Sequence, residues 1–299
     1  MPLPSDEELL KTAQALLTRF PAHGKGILLE GTFIPTPEAS LLSNASHFNV
    51  PATPILVRFS NSTGLPTIPD NDLNADPRGM AIRFNLPPTS DNKRVHTDII
   101  CHSTPFFPTR TGAGFLEFLQ KLVEGKIGEF LAKTPSAKAF VEAPKPAPSS
   151  FAREEYFGVS AFKLVGATGK ATFIRYRIVP VLGVETLDES ALKEKDQSYL
   201  LDDIKKRLGE GDVNFKLIAQ IADDGDIIDD STQHWPETRQ IAELGTVKIE
   251  KVSTDNAKKQ KSIIFDPIPR IQGVEPSDDP MLEMRAAIYL ISGRERRSA

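Results

Sequence analysis

Three groups of residues have the types and spacing to do chemistry. Near the C-terminus Arg285, Tyr289, Ser292 and Arg296 recur at i, i+4, i+7 and i+11, one stripe of a helix. A phenol with pKa ~10 must ionise to ligate iron well, and a guanidinium one turn away favours the phenolate. The plain alternative is a solvated face with a half-buried tyrosine, and the stripe alone favours it. The second group is the run Ile55-Leu-Val-Arg-Phe-Ser60. In a strand, Arg58 and Ser60 share one face and Val57 and Phe59 the other. If the first face looks into a barrel it offers a fixed cation and a hydroxyl, and a buried arginine requires an anion. If that face is solvated, the pair means nothing. The third is His23 in Phe20-Pro-Ala-His-Gly-Lys-Gly26, between a helix breaker and two glycines that leave room for a ligand. A lone histidine is more often structural.

These groups need elements to hold them. Asp6 to Phe20 reads as a short amphipathic helix capped by Ser5 and ended by Pro21. From Gly26 to Phe84 the reading changes to strands, with apolar runs at Pro54–Ser60 and Met80–Phe84, and His96–Cys101 follows. Phe115–Val123 reads as a helix extended by Ile127–Leu131, and Ala143–Ser150 as a linker. Strand signals return at Val159–Val165, Thr172–Pro180, Asn214–Ile221, Thr246–Ile249 and Ser262–Phe265, with a charged helix at Asp196–Leu208. The last helix runs from Pro280 to Arg297, opened by Ser277-Asp278-Asp279-Pro280. The order implies an α+β fold built round an antiparallel β-barrel with surrounding helices, one domain over 1–299.

Composition narrows the classes. The 299 residues are 39% hydrophobic and 25% charged, with net charge −4 and one cysteine, Cys101. That excludes a disulfide framework and a multi-cysteine metal site, and gives no general attraction to nucleic acid or an anionic membrane. No run approaches the ~18 apolar residues of a membrane helix, and the polar, acidic start lacks a secretory signal's pattern. A cytoplasmic protein is expected.

Several segments resemble those of the catalase superfamily, including its shorter catalase-related peroxidases. They are His23-Gly-Lys-Gly with Gly31-Thr-Phe33, Val57-Arg-Phe-Ser60, Asp76-Pro-Arg-Gly-Met-Ala-Ile-Arg-Phe84, and Thr104-Pro-Phe-Phe107 with Phe115. Tyr156-Phe-Gly-Val-Ser-Ala-Phe-Lys163, His234-Trp-Pro-Glu237 and Gly273-Val-Glu-Pro-Ser-Asp-Asp-Pro-Met-Leu282 follow in order. The matches are collinear from about residue 20 to 297. The resemblance implies haem b (iron protoporphyrin IX) and assigns roles to the residues. His23 would be the distal acid/base and Ser60 would fix its tautomer. Tyr289 would be the iron's axial ligand with Arg285 beside it, Arg58 and Arg296 would hold the propionates, and Phe115 would stack near the ring. Asp76 would shape the access channel, although Asp-Pro-Arg-Gly is equally a turn.

The chain also departs from the family. Ser103 stands where the resemblance expects the distal asparagine, and so becomes the candidate for orienting the second peroxide. Phe20 replaces a propionate-binding arginine, with Arg19 one position away. Ser160 replaces a proximal-side histidine. The C-terminal helical and dinucleotide-binding parts of large catalases are expected to be absent, and a homodimer or monomer is expected. Cys101 and His102 lie beside the distal segment, Cys101 reading more simply as a buried strand residue. The first reading is a haem peroxidase with weak catalase activity, acting on hydrogen peroxide or an organic hydroperoxide with a small organic electron donor. Rearrangement or dehydration of a lipid hydroperoxide, or oxidation of a specialised metabolite, stays open. So does a barrel that binds haem or an apolar ligand without turnover.

Overall fold

Alternating apolar residues dictate the architecture. In the computed structural model they form one closed antiparallel barrel with helices packed outside it. Residues 5, 7, 8, 11, 25–61 and 68–298 are described, 295 and 298 as backbone only. Thus His23, Phe20, Arg19 and most of the expected first helix lie outside the described residues. The barrel comprises β1 (Gly26–Pro35), β2 (Thr53–Asn61), β3 (Arg78–Leu86), β4 (Val95–His102), β5 (Tyr156–Phe157), β7 (Ala171–Pro180), β8 (Val213–Ile221) and β9 (Ile241–Val252). They pair in the order β5-β4-β3-β2-β1-β9-β8, and β7 closes the ring by pairing with both β5 and β8. β6 (Phe162–Val165) and β10 (Val274–Pro276) extend the sheet from β7.

One face of every barrel strand is core: Leu29, Val57, Phe59, Ile82, Phe84, Ile178, Phe215 and Leu217 are all fully buried. Phe59 on β2 lies 6.0 Å from Phe215 on β8, a strand that is not its neighbour, so this face is the interior. Phe151 stacks on Phe59 at 5.0 Å and Tyr156 lies 5.7 Å from it. The interior is filled by side chains, as small barrels generally are.

Between the strands run α1 (Pro37–Leu42), α2 (Gly112–Val123), α3 (Ile127–Leu131), α4 (Pro135–Glu142), α5 (Glu189–Lys193), α6 (Tyr199–Glu210), α7 (Asn256–Ser262) and α8 (Pro280–Ser298). The expected strand at Ser262–Phe265 is not one. Its apolar residues follow α7 and lie beneath α8, where Ile263 O accepts from Arg296 and Ile264 O from Arg83. The expected extension of the Phe115 helix is a separate helix, because a turn closed by Gly125 N–H on Leu122 O intervenes. Likewise the Asp196–Leu208 helix begins at Tyr199, and α5 stands apart from it. Val159–Ala161 are not strand; pairing starts at Phe162. The Thr246 strand is longer than expected because apolar Leu244 and Ala242 continue its inward face.

Candidate active site on the outer barrel wall

Arg58 and Ser60 look away from the barrel interior, which corrects both alternatives the strand pattern allowed. Their face is outside, yet it is not solvated: Ser60 is only 3% exposed and Arg58 Nε donates to Gln260 Oε1 of α7 at 2.9 Å. Register defines the surface they share. Gly26 pairs with Ser60, Ser60 with Gly79, Gly79 with His102, and His102 with Phe157. The next rung on the same side is Leu28, Arg58, Ala81 and Ile100. Directly opposed residues share a face, so on this wall the small residues Gly26, Gly79 and Ala81 are interleaved with Ser60, Arg58 and His102 and bounded by Leu28 and Ile100.

Gly26 is required there. A Cβ on it would meet Arg58 Nη2 at 2.7 Å and Phe59 O at 2.5 Å. The guanidinium therefore lies across the start of β1. Burial, then the charge of Arg296, holds the Arg58 pKa down to about 10. Arg296 is placed by Ser292 Oγ at 2.7 Å and Ile263 O at 2.9 Å. Two cations that feel one another in a partly desolvated place favour a dianionic partner.

Helix α8 supplies the opposing layer. Asp279 accepts the Met281 N–H at 2.9 Å at its start. Met284, at the start of the helix's second turn, packs on α2 so closely that a Cβ on Gly112 would lie 2.5 Å from Met284 Cε. Leu282 and Ala286 pack with Ile268 and Phe162. The predicted stripe forms: Arg285 Nε donates to Tyr289 Oη at 3.3 Å, with its guanidinium 5.8 Å from the ring centroid. Burial lowers the Arg285 pKa, but Tyr289 and Asp279 outweigh it and the net shift is upward. Phe115 on α2 lies 4.8 Å from Phe107 and is stacked on Phe118 at 6.2 Å. Phe107 in turn lies 6.1 Å from His102.

Ser103 is engaged with the neighbouring strand. Its Oγ accepts the Arg78 N–H at 2.9 Å and its own N–H donates to Arg78 O at 2.9 Å. Cys101 is buried inside the barrel, and burial pushes its thiol up to about 12. Ser160 and Asp279 are both buried, and burial raises the Asp279 pKa.

A charged network behind this rim was not foreseen beyond Asp76. Arg78, wholly buried, donates to Asp76 Oδ1 at 3.0 Å, Asn61 Oδ1 at 2.6 Å and Asp70 O at 2.8 Å. The Asp70 carboxylate receives Lys25 Nζ at 2.8 Å, Asn61 Nδ2 at 3.0 Å and Leu200 N–H at 3.1 Å. Burial raises Asp76 to about 6 against the pull of Arg78. Burial likewise raises Glu154 to about 8. The signal available in the sequence was the Asp-Pro-Arg-Gly run, which reads as a turn until its partners are seen.

Comparison with known proteins decides the kinship. The family model described as Catalase matches residues 16–299. The chain belongs to the catalase family. Among this family's curated proteins, a catalase-related peroxidase of Mycolicibacterium paratuberculosis is 34% identical over 92% of this chain and 88% of its own length. One from Synechococcus elongatus is 29% identical over 92% of this chain and 82% of its own. Among solved structures, a bacterial catalase superposes with TM-score 0.80 at 22% identity, and a fungal catalase with 0.81 at 20%. This catalase-family chain spans 62% of the bacterial and 64% of the fungal chain. Among the described residues no helix is long and apolar enough to cross a membrane, and no group of three or more His, Cys, Asp or Glu could hold a metal ion.

Proposed function

We propose that this chain binds haem b between the outer wall of β1–β4 and helix α8, and works as a peroxidase on hydrogen peroxide or an organic hydroperoxide. A small organic molecule would be the electron donor, with weak catalase activity alongside. Family membership supports the class, a catalase-type oxidoreductase acting on peroxide. The observation that carries the cofactor assignment is the pairing of two features. One is the wall of small residues interleaved with Arg58, with Arg296 near it; the other is the Arg285–Tyr289 pair on the helix.

The donor set suits the group. Forked guanidiniums match carboxylates, so Arg58 and Arg296 would hold the two propionates. Tyr289 Oη would ligate the iron, and Arg285 Nε donates to that same oxygen at 3.3 Å, which orients it. When bound, haem supplies the redox chemistry at the peroxide oxygens. The protein's own residues do the rest. His23 would take a proton from one peroxide oxygen and return it to the other. Ser60 would accept the second ring proton of His23 and fix its tautomer. Phe115, braced by Phe107 and Phe118, would exclude water beside the ring.

The test is an absorption spectrum of the purified protein with and without hydrogen peroxide, beside Tyr289→Phe, followed by turnover of a phenolic donor. The expected result is a ferric haem band that is lost or displaced in the variant, and donor oxidation that requires peroxide. A colourless protein that cannot be reconstituted with haem would overturn the reading.

A further inference from the structure

We propose that His102, rather than Ser103, is the second hydrogen-bond donor of the distal face, and that it presents its Nε2–H to the bound peroxide. This rests on the haem reading above and goes beyond it in naming the group.

Register is the first argument. His102 stands opposite Gly79, and Gly79 opposite Ser60, so His102 and Ser60 emerge on the same outer side. Gly79 between them carries no side chain to separate them. Ser103 is the next residue, past the end of β4, and its Oγ is turned to the Arg78 N–H on β3. A serine in that position continues the ladder by one residue.

The second argument is the tautomer. The backbone N–H of Thr104 donates to His102 Nδ1 at 3.3 Å, and the Thr104 hydroxyl lies 2.6 Å from the same nitrogen. A backbone N–H can only donate, so Nδ1 carries the lone pair. A neutral imidazole has one N–H, which must then be on Nε2. The threonine thus fixes both the ring's orientation and the nitrogen that donates. Phe107, 6.1 Å away, braces the ring on the side of Phe115.

The chemistry differs from that of a carboxamide. A carboxamide has two donor hydrogens and an acceptor, whereas a neutral imidazole has one donor and one acceptor. One oxygen of the peroxide is held and the other is left for His23. A hydroperoxide, in which one oxygen carries an organic group, suits a site with a single fixed donor.

Two measurements test this. In protein labelled with 15N-histidine, the His102 resonances, identified by their loss in His102→Gln, should show a protonated Nε2 and a bare Nδ1. In the haem-loaded enzyme, cyanide affinity followed by absorption should weaken on the order of tenfold in His102→Ala, as one lost hydrogen bond implies. It should recover most of that in His102→Gln, which restores an N–H donor, with kcat/KM for peroxide following the same order. A protonated Nδ1, or a haem-loaded His102→Ala that binds cyanide like the wild type, overturns the inference and returns the role to Ser103. A protein that takes up no haem overturns the reading beneath it, a different and visible failure.

Discussion

The buried carboxyl of Glu154 makes a quantitative prediction. The residue is only 8% exposed and Oε1 accepts the Glu155 N–H at 2.8 Å. Burial raises its pKa from 4.5 to about 8. The Glu155 N–H and Arg78 oppose the rise, and the neighbouring charges of Asp76 and Glu155 add to it. Below pH 4.5 the group is protonated in the folded and the unfolded chain, and pH does not act through it. Between 4.5 and about 8 the unfolded chain releases a proton that the folded chain keeps, so stability falls as pH rises. Above about 8 both are ionised and the penalty is complete. At about 1.4 kcal/mol per tenfold in proton affinity, the penalty reaches roughly 4–5 kcal/mol. Glu154→Gln keeps the Oε1 acceptor and removes the charge. We predict that the variant matches the wild type near pH 5 and exceeds it by roughly 4 kcal/mol at pH 9, or on the order of 8 °C in Tm. Urea unfolding and thermal melts at pH 5, 7 and 9 measure the difference. A stability change that is the same at every pH, or that reverses at pH 9, would refute the assignment of the buried charge.

Two further predictions concern the same end of the barrel. Asp70→Ala leaves the Lys25 charge and the Asn61 amide without their carboxylate, and breaking such a buried pair costs about 3–5 kcal/mol; the urea midpoint should fall accordingly, and an unchanged midpoint would show that the network does not hold the rim together. Cys101, buried inside the barrel with its thiol held up at about 12, should react with an aromatic disulfide reagent only in denaturant; rapid labelling of the native protein would contradict the barrel register around it.

Much of this was legible from alternation. The strands at Pro54–Ser60, Met80–Phe84 and His96–Cys101 were readable because Val57, Phe59, Ile82 and Phe84 recur at period two and all point to one core. The helix from Pro280 was readable from its acidic, proline-marked start. Alternation separates two faces without saying which is inside, and this is why Arg58 could be assigned neither to the interior nor to solvent. The outer face is itself covered, by Gln260 from α7, a contact between residues about two hundred positions apart. The Asp70 network was hidden for the same reason. Its partners come from positions 25, 61, 78 and 200, and none is conspicuous in its own segment. The apolar run after Ser262 reads as a strand because burial beneath α8 produces the same local pattern as burial in a sheet.

The packed interior decides where a large ligand can go. Phe59, Phe151, Tyr156 and Phe215 fill one end of the barrel with ring-to-ring contacts of 5.0 to 6.2 Å. Opening a slot there would forfeit several aromatic side chains' worth of buried surface, each about 2–3 kcal/mol or more. On the outer wall the same strands carry Gly26, Gly79 and Ala81, whose side chains are absent or a single methyl. Ser60 and His102, with the roles proposed above, sit on hydrogen-bonded strands. Tyr289, the proposed ligand from the other side, sits on a helix held by Met284 against Gly112. A rigid wall with low relief faces a helix with one polar stripe, and a flat, apolar, dianionic ligand is the kind of molecule that satisfies both surfaces at once.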